Sequence, residues 1–253
     1  MEREREICDE LRIIERENDF RMLFACESGS RAWGFQSPDS DFDVRFVYMR
    51  PLSDYLRLED VKDVYESTRP GDLDVVGWDL SKFLRLLRVS NSSAVEWLSS
   101  PDVYYEYARF YRVRELLDDC FDPLSCAYHY YGMAKKHDMR YLRQETLSVK
   151  KYLYIIRAIL AVKWCITRFE PVPMRFDDLK AYMLPAELSR SVETMLASKR
   201  GTSETHMTEH DDAIDAWIND EMGHMVSDLK NFAHKPKVEW QKLDDVFRSM
   251  LEL

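Results

Sequence analysis

Two aspartates separated by one residue, Asp41 and Asp43, follow a glycine-serine motif at Gly29 and Ser30. Carboxylate oxygens are typical ligands of magnesium, which usually binds substrate phosphates as well. Glycine lets the backbone approach an anion closely, and free backbone N–H groups at a strand-to-helix turn favour phosphate oxygens. The two motifs together therefore indicate chemistry on a nucleotide.

These residues need two strands to position them. The apolar residues 21–26, which end just before the glycine-serine motif, predict a buried strand followed by a turn into a helix. Residues 41–48 alternate polar and apolar side chains and predict a second strand. Because residues i and i+2 of a strand share a face, Asp41, Asp43 and Arg45 are expected on one face. Arg45 would there either form a salt bridge with the carboxylates or contact a substrate phosphate.

A metal site of this kind needs a third carboxylate, and the next predicted hairpin offers two. Residues 62–68 and 73–78 are strand-like runs separated by a turn at residues 69–72. Asp74 opens the second run, and antiparallel pairing with the Asp41 strand would bring it beside the other carboxylates. Asp72, in the turn, is the alternative. Asp79 precedes a helical pattern and is predicted to be the N-cap of that helix.

Three segments carry a family resemblance: ESGSRAWGF at residues 27–35, SPDSDFDVRF at 37–46 and DVVGWDL at 74–80. The spacing of Gly29-Ser30, Asp41-x-Asp43 and Asp74 resembles the signature of the DNA polymerase β nucleotidyltransferase superfamily. The segments themselves are similar to the RlaP-type predicted nucleotidyltransferases, named for their association with RNA-repair ligases. With EWLSSP at 96–101 and residues 150–164, the resemblance covers roughly residues 20–180.

The resemblance implies an α+β fold in two domains. Residues 1–101 would form a polymerase β-like nucleotidyltransferase core, a small mixed sheet with flanking helices. Residues 102–253 would form a helical domain that makes the other wall of the nucleotide cleft. Gly29, Ser30 and Arg31 would contact phosphate at the turn of the core.

The reaction implied by the resemblance is transfer of a nucleoside monophosphate from an NTP to an acceptor hydroxyl, with release of pyrophosphate. By this analogy Asp41, Asp43 and Asp74 are catalytic and hold two Mg²⁺ or Mn²⁺ ions, with Asp74 touching one ion only. Paired ions about 3.5 to 4 Å apart stabilise both oxygens of a phosphoryl displacement. The alternative is a nucleotide-binding or regulatory partner protein that keeps the fold without turnover. The intact set of aspartates argues against it.

Further candidate nucleotide contacts lie on a predicted helix at residues 144–169. Lys150, Tyr154 and Arg157 share one face, where the cations would hold the triphosphate and the tyrosine would stack on a base or sugar. The alternative is that these cations bond to acidic residues of another helix. Although the formal net charge is −10, residues 127–168 contain nine Lys or Arg against two Asp or Glu. This local positive charge, with the family association, favours RNA as the acceptor.

Composition limits the class of protein. With 253 residues, 45% of them hydrophobic, the chain can bury one large core or two modest ones. No apolar run approaches the ~20 residues of a membrane span, and the charged start does not resemble a secretory signal. A soluble, cytoplasmic protein is therefore expected. The five scattered cysteines favour reduced thiols over disulfides or a zinc site.

The periodicity of the remaining chain is mostly helical. In the first part it predicts helices at residues 2–19, 81–89 and 92–98. Beyond residue 101 it predicts helices at residues 104–119, 123–142, 144–169, 177–199, 209–233 and 240–253.

Overall fold

The structure is a computed structural model that describes residues 2–69, 72–137, 146–203 and 205–252. In chain order, its strands are β1 (Arg21–Glu27), β2 (Phe42–Met49), β3 (Val64–Arg69), β4 (Leu73–Asp79), β5 (Val103–Glu106), β6 (Leu147–Ser148) and β7 (Met207–Thr208). Its helices are α1 (Glu2–Glu17), α2 (Gly29–Trp33), α3 (Leu52–Tyr55), α4 (Leu80–Arg88), α5 (Ser92–Ser99), α6 (Tyr111–Arg114), α7 (Leu116–Cys120), α8 (Pro123–His137), α9 (Val149–Arg168), α10 (Phe176–Met183), α11 (Ser189–Gly201), α12 (Asp212–Leu229) and α13 (Trp240–Met250).

The first of two compact units is built on a mixed sheet. It contains Met1–Ala32, Asp41–Phe121 and Pro236–Leu253. The sheet has five strands in the order β3-β4-β2-β1-β5. Strand β2 pairs antiparallel with β1 and parallel with β4. The central position of β2 places its side chains between those of two neighbouring strands.

One face of this sheet packs against α1. The core there combines apolar side chains of the helix and the strands, among them Ile7, Leu11, Ile14, Val44, Phe46 and Val75. Because Val44 and Phe46 belong to this core, the alternate residues Asp43 and Arg45 of β2 lie on the opposite face. The alternation predicted from the sequence is confirmed for residues 42–46, whereas Val47 and Tyr48 are both buried.

The second unit contains Trp33–Ser40 and Asp122–Lys235. Its central element is α9, which packs against α8, α10, α11 and α12. Strands β6 and β7 pair antiparallel beside these helices. None of the helices in the described ranges is long and apolar enough to cross a lipid bilayer.

Several predictions about the core elements are confirmed. Strand β1 is buried along all but its first residue and is followed directly by the turn into α2. Asp79 is the N-cap of α4, since its carboxylate accepts the backbone N–H of Ser81. The five-stranded mixed sheet with flanking helices, followed by a helical C-terminal region, confirms the α+β fold class.

Strand β4 runs parallel to β2, so the predicted antiparallel pairing is wrong. Strands β3 and β4 do form the predicted antiparallel hairpin, but β3 takes the outer edge of the sheet. The strand that returns from this edge therefore lies beside β2 in the same direction. Asp74 still becomes the register partner of Asp43.

The predicted helix at residues 104–119 is wrong at its start, because Val103–Glu106 forms β5 and pairs with β1. Its valine and tyrosines are residue types that strands favour. The predicted helix at residues 177–199 is divided at Leu184-Pro185, after which a 3₁₀ turn at Ala186–Leu188 precedes α11. Residues 70 and 71 of the predicted turn, and residues 138–145 of two predicted helices, lie outside the described residues.

Candidate functional site

Gly29 lies directly against the carboxylate of Asp43. Its φ of +59° is one that L side chains rarely adopt, and a Cβ on it would lie 2.0 Å from Oδ2 of Asp43. The backbone N–H of Ser28 donates to the carbonyl oxygen of Asp43 at 2.9 Å. Glycine is therefore required for the turn to pack this closely against the aspartate.

Asp43 and Asp74 face each other across two parallel strands as register partners. Nη2 of Arg45 donates to Oδ1 of Asp43 and to Oδ2 of Asp74, at 2.8 Å in each case. Like charges directly opposite each other in a sheet repel, and the guanidinium offsets that repulsion. Arg45 thus forms the salt bridge that was one of its two predicted roles. Its contact with a substrate phosphate stays a prediction.

Asp41 lies outside the strand that was predicted to contain it. Strand β2 begins at Phe42, and the Asp41 side chain is exposed. In the part of the chain that the structure describes, no group of three or more His, Cys, Asp or Glu side chains is arranged to hold a metal ion. The structure therefore brings Asp43 and Asp74 together without Asp41.

The turn residues Ser30 and Arg31 are held by local contacts. Ser30 is 3% exposed and lies in α2, which is five residues long. So short a helix has a weak macrodipole, so the dipole that was expected to favour a phosphate is small here. Nε of Arg31 donates to the carbonyl oxygen of Asp41 at 3.0 Å, and its guanidinium carbon lies 3.7 Å from the centre of the Phe42 ring. Their phosphate contacts stay predictions.

The alternative third carboxylate, Asp72, sits in the turn before β4. It is exposed and has a φ of +58°. Its carbonyl oxygen accepts the backbone N–H of Phe42 at 2.8 Å. Its backbone therefore holds the start of β2, whereas the Asp74 side chain shares Arg45 with Asp43.

Glu27 is a site residue to which the sequence analysis assigned no role. It ends β1 and is 3% exposed. Its Oε1 accepts the backbone N–H of Asp43 at 2.9 Å, and its Oε2 accepts the hydroxyl of Tyr104. Burial raises the pKa of Glu27 to about 7. The available signal was an acidic residue directly after the apolar residues 22–26.

We expect Glu27 to destabilise the protein progressively as the pH rises from about 4.5 to about 7. The folded state keeps a proton on this carboxyl over that interval and the unfolded state does not, so the folded state loses stability as pH rises. Between these two pH values the wild type should lose about 3 kcal/mol of its free energy of unfolding relative to the Glu27→Gln variant, which cannot titrate at this position. Urea unfolding in EDTA across this interval measures the difference. A difference that stays constant with pH would contradict the prediction.

Comparison with known proteins identifies the family. A family described as "RNA repair pathway DNA polymerase beta family" (RlaP) matches residues 3–249. The chain belongs to this family. The uncharacterized protein YcgL of Bacillus subtilis (strain 168) is 36% identical over 248 residues, which are 97% of this chain and 95% of YcgL. The crystal structure of a nucleotidyltransferase-like protein from Exiguobacterium sibiricum 255-15 aligns over 97% of this chain and 80% of its own, with 12% identity and a TM-score of 0.33.

Membership in the DNA polymerase beta family confirms the resemblance seen in the sequence. It supports a nucleotidyltransferase-like function for this chain. Among the residues that carried the resemblance, Gly29 lies against the Asp43 carboxylate, and Asp43 and Asp74 share the Arg45 guanidinium. Asp41, which also carried it, precedes β2. The role of these residues as a catalytic site stays a prediction.

In this family member, Arg157 and Tyr154 of α9 pack against Trp33, and Lys150 lies over the Tyr154 ring, all within the second unit. The Arg157 guanidinium carbon lies 4.2 Å from the centre of the Trp33 ring, and Arg157 is 2% exposed. The Tyr154 ring meets Trp33 edge to face at 5.1 Å, and Nζ of Lys150 lies 5.7 Å from the centre of the Tyr154 ring. No local pattern in the sequence predicts this cluster. Binding of a triphosphate by Lys150, Tyr154 and Arg157 stays a prediction.

Proposed function

We propose that this chain is a metal-dependent nucleotidyltransferase, which transfers a nucleoside monophosphate from an NTP to an acceptor hydroxyl and releases pyrophosphate. The observation that supports this most is the register pairing of Asp43 with Asp74, beside a glycine that lies against the Asp43 carboxylate. Carboxylates are the usual protein ligands of a magnesium ion that also binds a phosphate, and a glycine backbone lets an anion approach closely.

The donor chemistry of the site fits magnesium or manganese. Asp43 and Asp74 present carboxylate oxygens, the ligand type that these hard cations prefer. Asp41 is exposed and precedes β2, so its side chain can turn toward the other two without loss of core packing. By analogy with the family, these three aspartates would hold the ions, and Asp74 would contact one of them only. When bound, the ions would offset negative charge on the triphosphate and on the leaving pyrophosphate.

The reaction itself is an in-line displacement at the α-phosphorus. The acceptor hydroxyl oxygen forms the new bond to phosphorus, and its proton passes to Asp74 and from there to water. The bond between the α-phosphorus and the bridging oxygen breaks, and pyrophosphate leaves with the bonding electrons. Gly29 and Ser30 would contact the phosphates through backbone N–H groups, and Arg31 through its guanidinium.

We propose an RNA end as the acceptor. The family is described as belonging to an RNA repair pathway, and residues 127–168 carry nine Lys or Arg against two Asp or Glu. Lysine and arginine clusters attract the phosphate backbone of nucleic acids, and this attraction weakens as salt rises. Transfer to RNA should therefore decline with increasing salt more steeply than NTP binding does.

Incubation with each α-³²P-labelled NTP and Mg²⁺ or Mn²⁺, with and without total RNA, tests the proposal. Label retained on an acceptor, with release of unlabelled pyrophosphate, is the expected result. The same reaction in EDTA is the control and should show no transfer. Absence of transfer from every NTP, to RNA and to the protein itself, would contradict the proposed function.

Gly29→Ala is expected to lower the rate of this transfer by at least about a hundredfold, the effect of misplacing a catalytic group by about 1 Å. The new Cβ would lie 2.0 Å from Oδ2 of Asp43, so the carboxylate has to move. The left-handed backbone conformation adds a strain of about 1–2 kcal/mol.

Gly34→Ala is the matched control for Gly29→Ala. Gly34 also has a positive φ, +84°, but a Cβ on it would meet only Cδ of Arg175, at 3.7 Å. This variant should lose stability in thermal unfolding and keep most of the transfer rate. Equal loss of activity in both variants would show that backbone strain, and not the position of Asp43, causes the effect.

A further inference from the structure

Arg45 makes four hydrogen bonds on the carboxylate face of the sheet. Nη2 donates to Oδ1 of Asp43 and Oδ2 of Asp74, both at 2.8 Å. Nη1 donates to the carbonyl oxygens of Asp74, at 2.9 Å, and Val44, at 3.1 Å. The Arg45 and Asp43 side chains are 16% and 27% exposed, whereas that of Asp74 is 44% exposed, so solvent screens the Arg45–Asp43 pair less than the Arg45–Asp74 pair. A single nitrogen is therefore the shared cationic contact of two carboxylates from neighbouring strands.

This contact uses oxygens that a divalent cation would use. A bound magnesium or manganese ion takes carboxylate oxygens at about 2.1 Å. Oδ1 of Asp43 and Oδ2 of Asp74 both point at Nη2 of Arg45, so an ion that bridged the same two oxygens would fall next to the guanidinium. Two positive charges a few ångströms apart repel each other, and the burial of the Arg45 side chain reduces the screening of this repulsion by solvent. The guanidinium and a bridging ion therefore exclude each other.

We propose that Arg45 is a resident counter-cation that a divalent ion must displace from Asp43 and Asp74, and that the displaced guanidinium then binds the incoming triphosphate. This inference rests on the proposed function. Two oxygens of a phosphate group can accept a pair of parallel hydrogen bonds from a guanidinium, so the nucleotide supplies Arg45 with new partners at the moment it loses the carboxylates.

Displacement couples metal and nucleotide binding. A metal ion alone has to expel Arg45 without compensation and binds weakly, whereas a metal ion that arrives with a triphosphate gives Arg45 a new partner. By linkage, each ligand then raises the affinity of the site for the other. Arg45 acts here as a residue that makes the site selective for the metal-nucleotide complex over the free ion.

Manganese titration followed by electron paramagnetic resonance tests this, because it counts bound ions without turnover. Removing Arg45 in Arg45→Met leaves two carboxylates without their cation, so this variant should bind Mn²⁺ alone at least about tenfold more tightly than the wild type. At saturating Mn²⁺ it should bind a non-hydrolysable NTP analogue at least about tenfold more weakly, measured by calorimetry. A purely structural role of Arg45 would weaken both affinities together.

Two further variants serve as controls. Arg45→Lys keeps a positive charge, so it should bind Mn²⁺ alone as weakly as the wild type. If Arg45→Met does not fold, Arg45→Gln, which removes the charge and stays polar, provides the test and should also bind Mn²⁺ alone more tightly. Arg21→Met removes an exposed arginine of β1 whose guanidinium carbon lies 4.2 Å from the centre of the Tyr107 ring, and should change neither affinity.

If Arg45→Met binds Mn²⁺ no more tightly than the wild type, the proposed displacement is wrong, and the proposed function stays intact. Tighter Mn²⁺ binding by Arg45→Lys, which retains the charge, would overturn it as well. Failure of the wild type and all variants to bind Mn²⁺, even with the NTP analogue present, would overturn the proposed function together with this inference.

Discussion

Replacing Asp43 with asparagine is expected to lower the rate of nucleotidyl transfer by about a thousandfold, a loss of about 4 kcal/mol of transition-state stabilisation. The amide keeps the shape of the side chain and removes the charge that a metal ion needs. Asp74→Asn should have a similar effect, because Asp74 is the register partner of Asp43 and shares the Arg45 guanidinium with it. Initial rates at saturating Mg²⁺ and NTP measure both effects.

Asp72→Asn is the matched control for these two variants. Asp72 is exposed in the turn before β4, and asparagine tolerates its φ of +58°. Its backbone carbonyl, which accepts the N–H of Phe42, is unchanged by the substitution. This variant should keep the wild-type rate. A large loss in Asp72→Asn with normal activity in Asp74→Asn would reverse the assignment of the third carboxylate.

The largest effect on stability is expected at Asp79, which is fully buried. Its Oδ2 accepts hydrogen bonds from Nε of Arg50 at 3.0 Å and from the hydroxyl of Tyr55 at 2.7 Å. Its Oδ1 accepts the backbone N–H of Ser81 at 2.9 Å and so caps α4. Asp79→Ala would leave a largely buried guanidinium without its carboxylate and would remove the helix cap. We expect the free energy of unfolding to fall by about 4 kcal/mol.

Asp63→Ala is the control for this prediction. Asp63 also bonds to a cation, with Oδ1 at 3.2 Å from Nζ of Lys82, but its side chain is 41% exposed. A salt bridge at such a position contributes less than about 1 kcal/mol. Urea unfolding of the two variants at one pH compares them directly. A loss below about 1 kcal/mol in Asp79→Ala would show that the buried cluster is not what holds α3 and α4 to the sheet.

The elements next to the glycine-serine motif are the ones that the sequence predicts best. A strand that is buried on both sides is mostly apolar, as residues 22–26 of β1 are, and a strand with one buried face alternates, as residues 42–46 of β2 do. The N-cap at Asp79 was equally predictable, because a carboxylate directly before a helical pattern strongly prefers to accept a backbone N–H of the first helical turn. In each case the residue types constrain the local backbone directly.

What the sequence did not predict depends on contacts between distant segments. The direction of β4 relative to β2 follows from which strand takes the sheet edge, and no local pattern encodes that choice. The tyrosines of β5 fit a helical period as well as a strand, until pairing with β1 decides between them. Nothing in the sequence around Glu27 predicts its hydrogen bonds with the distant residues Asp43 and Tyr104. The candidate site was recognised through its motifs, whereas its geometry required the fold.

The most direct test of the central claim is a crystal structure with Mg²⁺ and a non-hydrolysable NTP. We predict magnesium bound to carboxylate oxygens of Asp43 and Asp74 at about 2.1 Å, with Asp41 turned toward the metal and the Arg45 guanidinium moved onto the triphosphate. A nucleotide bound elsewhere in the chain, with Arg45 still bridging Asp43 and Asp74, would contradict the account.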